Sequence, residues 1–158
     1  MNDVSDGPAA HVGRILVVED SPSAQRLLQQ ILLRLGAQLP NLRMASTVVE
    51  ALTVFTQWRP DLVFVDIELR PSVPSATSAD APAPVAGDPR DGIELARRIR
   101  ARDPSVTLVI SSATDPSDPR VAGLRGEGRI EFLTKPLIAA RVEALLSGLA
   151  AAPPRRSV

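Results

Sequence analysis

Three runs of the chain are apolar almost throughout. They are Arg14–Val18 (RILVV), Asp61–Ile67 (DLVFVDI) and Val106–Ser111 (VTLVIS). Short β-branched runs of this kind predict strands covered on both faces. Asn41–Ala45 is weaker, with Leu42 and Met44 alternating, which suits a sheet edge, and Ile130–Leu133 is a short fifth strand. Between the strands the period changes. Leu27, Leu28, Ile31, Leu32 and Leu35 form one helical stripe; Val48, Ala51, Leu52 and Phe55 form a second. Ile93, Ala96 and Ile99 form a third, in a helix starting near Asp91, and Leu137, Val142, Leu145, Leu146 and Leu149 mark a last one. Ser21 can cap the first helix with Pro22 in its opening turn, Gly36 closes it, and Pro60 stops the second.

The order is therefore βα repeated five times, which predicts an α/β protein: a doubly wound five-stranded parallel sheet with helices on both faces and right-handed crossovers. Residues 13–149 make the domain. Residues 1–12 read as a flexible N-terminal arm and 150–158 as a disordered tail. Residues 70–90 read as an insertion, rich in Pro, Ala and Ser and without periodicity. The fourth helix falls on residues 114–128, which hold two Pro and three Gly and make a poor helix.

Composition narrows the chemistry. At 158 residues the chain has room for one core. Eighteen basic residues balance eighteen acidic ones, so no global field attracts nucleic acid, and no nucleic-acid partner is expected. Without Cys there is no disulfide, thiolate or Cys-ligated zinc. The start, MNDVSDGPAA, has no apolar signal region and no run is long enough to span a bilayer, so a cytoplasmic protein with no membrane partner is expected. Of the eighteen basic residues only Lys135 is a lysine.

Ligands of a parallel α/β sheet bind beyond the carboxyl ends of its strands. Those ends carry Glu19-Asp20, Asp66, Ser111-Ser112 and Thr134-Lys135. Three converging carboxylates repel one another, and a hard divalent cation such as Mg²⁺ relieves that repulsion. A lysine and a serine hydroxyl alongside suit a phosphoryl group. A carboxylate can itself accept that group, and Asp66, central in the set, is the candidate acceptor.

These pieces resemble the receiver domain of two-component response regulators, the CheY-like superfamily. The similarity lies in ILVVEDS (15–21), PDLVFVDIEL (60–69), DGIELARRIR (91–100), LVISSAT (108–114) and EFLTKP (131–136). It implies the strand order 2-1-3-4-5. It also implies Asp66 as phospho-acceptor, and Glu19, Asp20, Asp66 and the backbone carbonyl of Glu68 as the Mg²⁺ site. Ser112, followed by Ala113, and Lys135 would hold the phosphoryl group, and Ser112 and Phe132 would be the switch residues. The implied function is a phosphorelay receiver, a switch and not a turnover enzyme, assisting only its own phosphorylation and dephosphorylation. The implied partner is a sensor histidine kinase or phosphotransfer protein, with an unknown downstream protein target. A homodimer through the last strand and its flanking helices is a further implied association.

The chain departs from the family in three places. The 67–90 connection is far longer than the roughly 2–6 residues usual between strand and helix. Arg70 stands where the family has Pro, and the 114–128 segment is a poor helix. Only about nine residues follow the last helix, so no DNA-binding domain is expected after it. These departures motivate an alternative, a pseudo-receiver that is never phosphorylated and acts as an interaction module. A Mg²⁺ enzyme of topoisomerase–primase layout is a second alternative, built on Glu19 and Asp66-x-Glu68. It leaves Lys135 and Ser112 without a role.

Overall fold

A computed structural model describes residues 7–69, 92–113, 117, 119, 123–124 and 128–151. The strands are β1 (Ile15–Val18), β2 (Leu42–Ala45), β3 (Leu62–Asp66), β4 (Thr107–Ser112) and β5 (Ile130–Thr134). They form one parallel sheet in the order β2-β1-β3-β4-β5. The helices are α1 (Pro22–Arg34), α2 (Val48–Trp58), α3 (Gly92–Arg102) and α4 (Ala139–Ala150).

The apolar runs become central strands because both of their faces are covered. All four residues of β1 and all five of β3 are buried. Period-two alternation sorts their side chains. Leu16, Val18, Val63, Val65, Leu108 and Ile110 pack with Ala51 and Phe55 of α2 and Leu95 and Ile99 of α3. Ile15, Val17, Leu62, Phe64 and Val109 pack with Leu28 and Leu32 of α1 and Val142 and Leu146 of α4. β2 is an edge strand, with Leu42 and Ala45 buried and Arg43 exposed, as its weaker pattern predicts. α2 shows how local chemistry fixes a boundary. Thr47 Oγ1 accepts the Glu50 N–H at 3.1 Å, and Glu50 Oε2 accepts the Ser46 N–H at 2.7 Å. The first bond satisfies a donor left over at the helix start, and the second ties the residue before the cap back to the first turn.

Residues 7–12 differ from the flexible arm expected of them. Pro8–His11 form a 3-10 turn that packs against α4, and Ala9 is buried. The Ala9 N–H donates to the Leu35 carbonyl at 2.9 Å. The last carbonyls of a helix lack partners within it, and this turn supplies one at the end of α1. The last helix also starts later than its apolar stripe suggests, with Ile138 as its N-cap and Leu137 partly buried before it.

Arg100 is a second difference. It is 4% exposed although it lies in an arginine-rich run. Its guanidinium donates to the carbonyls of Pro104 (2.7 Å), Val106 (2.7 Å) and Arg129 (2.9 Å). It thereby ties the end of α3 to the entries of β4 and β5. The 70–90 insertion lies outside the described residues, as do most of 114–128 and residues 152–158. Among the described residues no helix is long and apolar enough to cross a membrane.

Candidate functional site

Strand register brings the polar strand ends together. Val18 pairs with Val65, Asp66 with Ser111, and Ser112 with Thr134. The residues that follow therefore leave the sheet at one level. The Glu19 N–H donates to the Ala45 carbonyl at 3.0 Å, and the Lys135 N–H to the Ser112 carbonyl at 2.8 Å, so the backbone is still held where the chemistry begins. Gln25 of α1 adds to this. Its Nε2 donates to the Glu19 carbonyl (3.3 Å) and the Ala45 carbonyl (3.4 Å), linking the ends of β1 and β2.

Glu19 and Asp66 are 5% and 3% exposed. Buried carboxylates need partners. Lys135 Nζ lies 2.8 Å from Asp66 Oδ2 and 3.2 Å from Glu19 Oε2. The second Asp66 oxygen, Oδ1, accepts the Glu68 N–H at 2.9 Å, and Glu19 Oε1 accepts the Ser21 N–H at 3.0 Å. Burial raises the Glu19 carboxyl above its ordinary value. The Ser21 N–H opposes that shift, the Asp66 charge adds to it, and Lys135 opposes it again. Burial alone would lower the Lys135 ammonium. Its hydrogen bond to Asp66 and the charges of Asp66 and Glu19 outweigh burial and raise it.

The residues present fit a hard divalent cation. Glu19, Asp20 and Asp66 each offer a carboxylate oxygen, and these atoms all lie within 4.8 Å of one another. An all-oxygen set with one half-buried member suits Mg²⁺, which keeps some of its waters. Glu68, the expected source of a carbonyl ligand, lies in the turn directly after β3, with its side chain exposed.

The remaining expected residues occupy the neighbourhood in different ways. Ser112 is buried at the end of β4. Its neighbour Ser111 is buried too, and Ser111 Oγ donates to the Val65 carbonyl at 3.5 Å. Phe132 is partly buried and packs on the α2–α3 side of the sheet. Two residues were not singled out in advance. Gln25 is one. Gly92 is the other: its N–H donates to the Ile67 carbonyl at 3.3 Å, and a Cβ there would run into the Asp66 carbonyl and Ile67 Cα. The signal for Gly92 was present in the sequence as a glycine opening a helix, where a side chain would normally stand.

No family model matches the chain. Known proteins do. The transcriptional regulatory protein PrrA of Mycobacterium tuberculosis is 32% identical over 139 residues, which cover 84% of this chain and 49% of that protein. The response regulator MprA of a Mycobacterium species is 30% identical over 138 residues, covering 84% of this chain and 50% of that one. The chain thus spans about half the length of these curated relatives. Because PrrA is named a transcriptional regulatory protein, the comparison gives no support to the expectation that nucleic acid has no part. Among solved structures, the receiver domain of NtrX from Brucella abortus is 26% identical with a TM-score of 0.64, covering 86% of this chain and 96% of that one. Relatives, fold and the clustered acidic residues with Lys135 agree, and the chain belongs to the response regulators of two-component signalling as one of their receiver domains.

Proposed function

We propose that this receiver takes a phosphoryl group onto Asp66 from the phosphohistidine of a sensor histidine kinase or phosphotransfer protein. A single observation carries the reading: one ammonium, Lys135 Nζ, bonds Asp66 while Glu19 and Asp20 offer cation ligands at the same place. In the transfer an Asp66 carboxylate oxygen bonds to phosphorus, the bond between phosphorus and the histidine nitrogen breaks, and that nitrogen keeps the electron pair and takes up a proton. Bound Mg²⁺, held by Glu19, Asp20, Asp66 and the Glu68 carbonyl, supplies charge neutralisation for the phosphoryl oxygens. Lys135 then exchanges its bond to the carboxylate for one to a phosphoryl oxygen, and the Ser112 hydroxyl donates to another. That pull on β4 and β5 favours an active arrangement in which Phe132 is repositioned. Two large apolar side chains stand exposed beside this end of the sheet: Leu27 in α1, and Ile138 three residues after Lys135. They suit contact with the donor protein.

The test is intact mass after incubation with Mg²⁺ and either acetyl phosphate or phosphoramidate. One added phosphoryl group is expected, lost in Asp66→Asn and in EDTA. No gain from either donor, together with no Mg²⁺ binding by titration, would replace this reading with a non-phosphorylated interaction module.

A further inference from the structure

Glu19 and Asp20 are consecutive, so a single peptide plane joins the two carboxylate donors that follow β1. Whatever holds that plane decides where the donors stand. The Glu19 N–H donates to the Ala45 carbonyl of β2 at 3.0 Å. The Glu19 carbonyl, which belongs to the plane, accepts from Gln25 Nε2 at 3.3 Å, and no other donor among the described residues reaches it. A trans peptide is rigid. With its N–H and its carbonyl both held, Glu19 cannot turn about its Cα–C bond, and the Cα of Asp20 is placed relative to β1.

Gln25 is itself well set for this. It lies in the opening turn of α1, where its N–H donates to the Ser21 carbonyl at 2.9 Å, and Ser21 caps the helix through its side chain. The Gln25 side chain is half-buried. The Glu19 and Ala45 carbonyls are both acceptors, so the amide turns its nitrogen to them and has one hydrogen for each, at 3.3 and 3.4 Å. The amide carries no net charge. It adds nothing to the charge balance of the acidic site, and its effect there is one of position.

We infer that Gln25 is a positioning residue of the acidic site: it fixes the spacing of the Glu19 and Asp20 oxygens and thereby favours Mg²⁺ over the larger Ca²⁺. The inference rests on reading Glu19 and Asp20 as cation ligands, and not on phosphorylation of Asp66. Mg²⁺ demands near-octahedral geometry at about 2.0–2.1 Å, whereas Ca²⁺ accepts irregular oxygen sets at about 2.3–2.6 Å. Freeing the plane between the donors therefore costs Mg²⁺ more than Ca²⁺.

The test is isothermal titration of the full chain with Mg²⁺ and with Ca²⁺, comparing the unmodified chain with Gln25→Met and Arg100→Met. Methionine matches glutamine in length and helix preference but lacks the donor. Gln25→Met is expected to weaken Mg²⁺ binding about tenfold and Ca²⁺ binding by distinctly less. Arg100→Met, which loses stability where strands enter the sheet, should leave the ratio of the two affinities unchanged. That ratio separates positioning from a general loss of stability. Thermal melting verifies the fold. Should Gln25→Met fail to fold, Gln25→Asn, which keeps the amide but is one methylene short, takes its place with the same expectation. Unchanged Mg²⁺ affinity in the Gln25 variant, or an equal loss for both ions, would overturn the inference and leave the metal site standing. No Mg²⁺ binding by the unmodified chain would overturn the metal reading, and the inference with it.

Discussion

Lys135 Nζ stands 2.8 Å from Asp66 Oδ2 and 3.2 Å from Glu19 Oε2, so a single ammonium spans two carboxylates that are both buried. Removing one partner of a buried ion pair leaves charge uncompensated and costs roughly 3–5 kcal/mol. Lys135→Met is therefore expected to lower stability in EDTA by about that amount in urea denaturation. Mg²⁺ brings its own positive charge to the same carboxylates, so the deficit should narrow when the metal is added.

The Glu19 carboxyl is raised by burial, which gives its titration a definite sign. A raised folded-state pKa means the folded chain holds the proton more tightly than the unfolded one. The associated stability is full below the ordinary value of 4.5 and is lost as pH rises through the folded-state value. Glu19→Gln has no such loss. In EDTA, its stability relative to the unmodified chain should improve from about pH 4 to neutrality. A difference constant with pH would refute the assignment.

Lys135 titrates at the other end of the scale. Burial alone would lower it, but Asp66 and Glu19 raise it above 10.5. Its contribution is complete below that value and disappears as pH climbs through the higher folded-state value. Thermal melting in EDTA should decline more steeply above about pH 10.5 for the unmodified chain than for Lys135→Met.

Gly92 backs the turn that carries Asp66, and a Cβ there would collide with the Asp66 carbonyl and Ile67 Cα. Overpacking of this kind costs about 1–3 kcal/mol. Gly92→Ala is expected to lose that much stability and also to weaken Mg²⁺ binding. Ala96→Gly on the same helix, which removes atoms and adds none, should leave metal binding unchanged while lowering stability by about 1 kcal/mol or more. Isothermal titration with Mg²⁺ on both variants separates the two effects.

Arg100 holds three carbonyls from a buried position. Arg100→Met would leave the Pro104 and Val106 carbonyls without this donor, at roughly 1–3 kcal/mol for each that water does not reach, while the Arg129 carbonyl keeps the Leu108 N–H at 3.1 Å. A fall in stability with unchanged Mg²⁺ affinity is the expected result, since the contacts lie where strands enter the sheet and the acidic site lies where they leave it.

The sheet was legible because β1, β3 and β4 are apolar on both faces, a pattern that only a doubly covered strand requires. The acidic site was legible for a related reason. In a parallel sheet every strand delivers its last residues to one edge, so reading Glu19, Asp20, Asp66 and Lys135 off strand ends already grouped them. Arg100 was not legible by residue type, since arginine usually signals exposure. Its position did carry the information: it lies seven residues after Ile93 and four after Ala96, on the core-facing stripe of α3. Gln25 gave no such hint, because its bonds go to carbonyls of two different strands. The turn at Pro8–His11 was missed for the same kind of reason. Its partner, Leu35, becomes a neighbour only once α1 has folded back along the sheet.

That turn has a practical consequence. Residues 7–12 are fastened to the end of α1 farthest from Asp66, and α4 lies against them. A fluorophore placed there would report melting of the helical layer while staying blind to events at the acidic edge. One placed beside Ile138, at the start of α4, would do the reverse. The two ends of a single helical layer thus offer separate readouts of integrity and of signalling.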